Sequence, residues 1–188
     1  MAIVTDTEAT NGNLSAVLPS LLPLVAGWAE KESHNILTLG KPLAFWQLAE
    51  AKQVGVRDPE KVRVLRVDTM PEPANSQLLA ATLSAGLLGP ETLGLTLGAG
   101  ILILRSRIGE RQILRHELRH VAQYEAAGSI RAFLAEYLDQ IASFGYWEAP
   151  LEMDARCHER GQPPASRATS IGKTGSRRGR VIPWIPAR

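Results

Sequence analysis

His116-Glu117-Leu118-Arg119-His120 is the segment whose residue types and spacing suit chemistry. Side chains four apart on an α-helix lie one turn apart on the same face, so the two imidazoles can converge on one ion at nitrogen distances of about 2 Å. Glu117 is rotated by about 100° from His116, too far round the helix to chelate beside the histidines and well placed to contact a water on the ion. Zinc lowers the pKa of such a water from about 15.7 to about 7, and a neighbouring carboxylate then takes its proton as the water attacks a carbonyl. This chemistry needs a third protein ligand and a fourth position left open for the water. The plainer alternative makes His116 and His120 surface residues of a helix, salt-linked to Glu117 and to acids such as Glu125.

The elements that must position these side chains can be read from periodicity. From Glu110 to Ala127 the pattern is helical, with Gly128 as its stop. Ser129 can cap a following helix whose Ile130, Phe133, Leu134, Tyr137, Leu138, Ile141 and Phe144 form one apolar stripe. Pro150 suits the first turn of a short helix containing Leu151, Glu152, Asp154, Ala155 and Arg156.

Upstream, Leu93 to Leu97 and Ile101 to Arg105 predict a β-hairpin around Gly98-Ala99-Gly100. That Gly-x-Gly leads into a strand rather than a helix, which argues against a phosphate loop. Val62 to Val67 predicts a strand, and Gln77 to Leu87 a helix stopped at Gly89-Pro90. Pro42 is expected to open a helix running through Trp46 and Ala49 to Gly55, and a first helix is expected from Leu21 through Trp28 to Glu32, starting near the prolines. The fold class expected is therefore α+β, helix-dominated, with a small antiparallel hairpin or sheet packed beside the helix that carries the two histidines.

Bulk composition limits the remaining possibilities. The chain has 188 residues, 45% hydrophobic and 21% charged, enough for one core. We expect a polar, frayed N-terminus over 1–13, one domain over 14–160, and a basic, disordered tail over 161–188. The tail holds six of the 21 basic residues and none of the 19 acidic ones, so contact with nucleic acid is a minor alternative to simple solvation. Cys157 is the sole cysteine, which excludes an intrachain disulfide and a cysteine-built zinc knuckle and fits a reducing cytoplasm. The apolar run Leu14 to Ala29 follows acidic rather than basic residues and is broken by Pro19 and Pro23, so neither a signal peptide nor a membrane span is expected.

For the third ligand the residues offer Glu152, with Asp154 as a rival and Glu148 further off; the alternative for both helix carboxylates is only to favour the positive end of a helix dipole. Tyr124, Tyr146 and His158 are candidates to stabilise an oxyanion, the tyrosines being otherwise aromatic packing residues and His158 an exposed one. His34 has no partner at metal spacing.

The run from Thr96 to Arg156, with its hairpin, His-Glu-Leu-Arg-His-Val-Ala-Gln-Tyr-Glu helix, Gly145-Tyr146 and Pro-Leu-Glu-Met-Asp-Ala-Arg156, resembles small bacterial proteins related to the gluzincin metallopeptidases. The resemblance covers about a third of the chain. It implies a zincin-like domain, a zinc ion held by His116, His120 and Glu152, Glu117 as general base, and a peptide or protein as substrate. Glu152 and Ala155 match the family's second motif, whereas Arg156 stands where an Asp orienting the first histidine is expected. The resemblance also assigns backbone recognition of the substrate to an edge strand before the histidine helix, here Ile101 to Arg105. Two other readings use the same residues: a non-enzymatic binding module braced by the metal, and a metal-free protein that binds a partner through the stripe of 130–144.

Overall fold

The computed structural model describes the backbone of residues 6–105 and 110–160, and their side chains from residue 17 onward. The tail expected over 161–188 lies outside the described residues. Two runs rich in β-branched and leucine residues make the inner strands: β2 (Arg63–Val67) and β4 (Gly100–Leu104) pair in parallel, Val64 opposite Ile101 and Arg66 opposite Ile103. β3 (Gly94–Leu97) returns antiparallel on β4, and the two-residue β1 (Lys41–Pro42) lies antiparallel on β2, giving the order β1-β2-β4-β3. Gly98, at φ 65°, adopts the left-handed conformation that the first residue of a two-residue hairpin turn requires.

Six helices surround this sheet among the described residues: α1 (Asp6–Leu39), α2 (Phe45–Gln53), α3 (Ser76–Ser84), α4 (Glu110–Ala127), α5 (Ile130–Phe144) and α6 (Pro150–His158). β4 alternates between two cores. Ile101 and Ile103 pack with Val64, Leu114, Leu118 and Val121 beneath α2 and α4. Leu102 packs on the opposite side with Ala29, Ile36, Phe133 and Leu134 of α1 and α5. A strand buried on both faces carries apolar residues without alternation, which is the pattern of Ile-Leu-Ile-Leu. No described helix is long and apolar enough to cross a membrane.

The helix-rich α+β expectation, the hairpin, α4, α5 and α6 agree with the structure, and four expectations are corrected. The sheet is mixed rather than antiparallel, because β2 joins β4 in parallel. Ile101 to Arg105 is consequently an interior strand whose two sides are both taken, and the outer strand on that side is β3. Pro42 sits in the outer strand β1, where a residue without an N–H is tolerated, and α2 starts at Phe45, with Gln47 Oε1 accepting from the Ala44 amide at 2.7 Å. The stripe of 130–144 is not free for a partner, since Phe133, Leu134 and Leu138 are covered within the core they share with α1.

The first helix differs in length. α1 begins at Asp6, inside the segment expected to be frayed, and runs through both prolines to Leu39. Pro19 and Pro23 are exposed and four residues apart, so the carbonyls they deprive of a donor lie on the solvent side, where water can replace the missing N–H.

Candidate metal centre

Leu114, Leu118 and Val121 recur at helical spacing on α4 and pin that helix to the sheet, each at 0–1% exposure. The opposite flank carries Arg115, His116, Arg119, His120 and Gln123 and receives α6. Arg119 donates to Asp154 at 2.6 and 3.3 Å, Gln123 Nε2 donates to Asp154 at 2.7 Å and to the Leu151 carbonyl at 3.0 Å, and Arg115 Nε donates to the His158 carbonyl at 2.9 Å. The Leu151 amide at the start of α6 donates to Gln140 of α5 at 2.9 Å. These bonds set the rotation of α6, and that rotation turns Glu152, 1% exposed, toward the two histidines.

His116 Nε2 and His120 Nε2 stand 3.1 Å apart, and lie 3.5 Å and 3.2 Å from the two carboxylate oxygens of Glu152. Donor atoms of all three residues fall within 4.8 Å of one another. Ligands at about 2.0–2.1 Å from a tetrahedral ion are separated by about 3.3 Å, so these three side chains could together hold a metal ion.

Protonation strengthens the case. The Gln123 amide spends its NH₂ on Asp154 and the Leu151 carbonyl, so its Oε1, 2.7 Å from His120 Nδ1, must accept the hydrogen there. Glu159 Oε1 accepts likewise from His116 Nδ1 at 3.0 Å. Both rings therefore direct Nε2 to the centre, facing each other and a carboxylate. Burial alone would lower the His116 pKa, but the carboxylates of Glu152 and Glu159 outweigh it and raise it to about 10. For Glu152, burial opposes ionisation, and hydrogen bonds from His116 and His120 outweigh it and hold the carboxyl well below its ordinary range.

Further groups complete the surroundings. Tyr137 donates its hydroxyl to Glu152 Oε1 at 2.8 Å, and Arg156 approaches Glu152 Oε2 at 3.4 Å. Glu117 is buried beside the histidines, where Thr96 of β3 donates to its Oε2 at 2.6 Å. A Cβ on Gly94 would lie 2.5 Å from Glu117 Oε1, so the carboxylate occupies space that only glycine leaves open. A cavity of about 1060 Å³ opens over the cluster, with His116, Glu117 and Tyr146 in its wall and Trp28, Leu87 and Phe133 among its apolar lining.

The structure thus brings together His116, Glu117, His120 and Glu152. Asp154 is engaged by Arg119 and Gln123 and does not line the cavity, while Glu148 is exposed. Glu125 does not pair with the histidines; it accepts from the Arg57 and Asp58 amides at 2.7 and 3.0 Å. Of the oxyanion candidates, Tyr146 lines the cavity close enough to Glu152 and Glu117 for their charges to raise its pKa, after burial, which contributes most. Tyr124 also borders the cavity but stacks on Phe133 at 3.8 Å within the core. His158 is corrected: its Nδ1 is 2.8 Å from the Asp154 carbonyl, on the side of α6 away from the cavity lining. Gly94, Thr96, Gln123, Tyr137 and Glu159 were not anticipated, because each reaches the site through tertiary contact or lacks a spacing signal of its own. No protein-family model, curated protein or solved structure matches the chain.

Proposed function

We propose that the protein is a zinc-dependent, zincin-like metallopeptidase that hydrolyses peptide bonds, with the ion held by His116, His120 and Glu152. The observation that carries this reading is the convergence of two imidazole Nε2 atoms and a buried carboxylate within 4.8 Å of one another, beside a second carboxylate, in the wall of a cavity. Zinc at this position would supply a Lewis acid that polarises the scissile carbonyl and acidifies the attacking water.

The chain's own residues account for the rest. Glu117 takes the proton on Oε1, because Thr96 occupies Oε2 and fixes the orientation of the carboxylate, and then delivers it to the leaving amine. Tyr146 is the side chain placed to donate to the developing oxyanion. Outer strand β3 offers its backbone to an extended peptide, and the apolar lining behind it favours a bulky apolar side chain next to the scissile bond. An ion serving only as a brace would be enclosed by its ligands, whereas these three border an open cavity, which favours the enzyme over the brace.

The decisive test compares wild type with Glu117→Gln on a mixed peptide library, with zinc quantified in both. Glu117→Gln keeps its fold and zinc while turnover drops about 10²- to 10⁴-fold. A zinc-loaded wild type that cleaves nothing across a broad library would return the site to the role of a brace.

A further inference from the structure

We propose that Glu159 is the positioning residue for His116, an inference that rests on the metal reading above. Glu152, Arg156 and Glu159 are spaced i, i+4, i+7 and so share one face of α6 and its C-terminal end. Glu152 and Glu159 both reach the histidines. Arg156 cannot serve His116 Nδ1, because a guanidinium has donors only. It reaches instead to Glu152 Oε2 and the Trp147 carbonyl, with its guanidinium carbon 5.3 Å from the centre of the Trp147 ring. The acceptor that His116 needs is supplied one turn later by Glu159, at 3.0 Å.

A carboxylate in that position does three things for the ring. It holds the hydrogen on Nδ1, which leaves the Nε2 lone pair for the ion. It fixes the ring's rotation, so that Nε2 stays 3.1 Å from its partner on His120. Its charge also makes the imidazole a stronger electron donor. His120 receives the first two services from the neutral Gln123 and lacks the third. The two histidines are therefore held differently, His116 by a carboxylate at the end of α6 and His120 by an amide on its own helix.

The test uses the full chain and measures zinc affinity by competition with a chromophoric chelator. It compares wild type, Glu159→Ala, Glu159→Gln and the exposed control Glu148→Ala, with folding checked by circular dichroism. Glu159→Ala weakens binding about 10- to 100-fold, Glu159→Gln weakens it less because an acceptor remains, and the control is unchanged. In the zinc-loaded protein, ¹⁵N spectra show a slowly exchanging Nδ1 hydrogen on His116 that Glu159→Ala loses. Equal zinc affinity in wild type and Glu159→Ala would overturn this inference alone. A wild type that takes up no zinc overturns the metal reading and this inference with it.

Discussion

Helix α4 is held through two flanks of opposite character. Toward the sheet it presents Leu114, Leu118 and Val121, whose contacts are apolar and without direction. Toward α6 it presents Arg115, His116, Arg119, His120 and Gln123, each hydrogen-bonded to a side chain or carbonyl of another residue, most of them on other elements. Among the described residues no buried side-chain nitrogen or oxygen lacks a partner. The apolar flank fixes where the helix lies; the polar flank fixes where its side chains aim. A site requiring donor spacings correct to a few tenths of an ångström needs the second kind of contact, and the first to bear the stability.

The sharpest way to break this division is at Glu50 of α2, which accepts from Arg115 at 2.7 Å and from Arg111 at 3.0 Å. Glu50→Ala leaves the buried Arg115 without its counter-charge and lowers stability by about 3–5 kcal/mol. Burial raises the Glu50 pKa, but the bonds from the two arginines prevail and hold it below its ordinary value of 4.5. A carboxylate with a depressed folded-state pKa contributes its stability above the ordinary value and loses it as pH falls. Urea denaturation across a pH series therefore shows wild type and variant differing fully near neutrality and converging below about pH 4.5. A gap that stays constant down to acid would mean that Glu50 acts through packing alone.

On the apolar flank, Leu118→Ala removes a fully buried side chain and costs about 2–5 kcal/mol of stability. Because that flank does not aim the ligands, the folded variant retains wild-type zinc affinity. Calorimetric unfolding together with a zinc titration checks both halves, and a large loss of affinity in the folded variant would erase the distinction between the flanks.

The smallest of these stability effects is the most local. Gly94→Ala places a methyl group against Glu117 and costs about 1–3 kcal/mol. The proposed peptidase turnover falls at least tenfold while zinc binding holds, since the displaced group is the proposed base rather than a proposed ligand. Unchanged turnover would show that Glu117 Oε1 does not carry the proton.

What could be read from sequence follows the same division. Helix α4 and its histidine pair were legible because both the apolar stripe and the metal spacing are local periodicities, and Glu152 because Pro150 marks where its helix starts. β4 was misplaced as an edge because its interior position depends on pairing with β2, and a strand's own letters do not name its neighbours. Thr96 and Gln123 were missed for a related reason. A threonine in a strand and a glutamine in a helix are ordinary until tertiary packing sets one on Glu117 and the other on His120. Arg156 broke the expected motif, and nothing local showed that a carboxylate three residues on would supply the acceptor.

The order of these parts along the chain bears on how the molecule is made. Glu159 lies 43 residues after His116, and α6, which brings both carboxylates to the histidines, is the last of the described helices. In a growing chain the paired imidazoles are synthesised before either carboxylate. At that stage two histidines on a helix form only a weak, open chelate. The cluster is completed only after translation has passed residue 159 and α6 has docked, so its three parts cannot assemble while the chain is still short of that point.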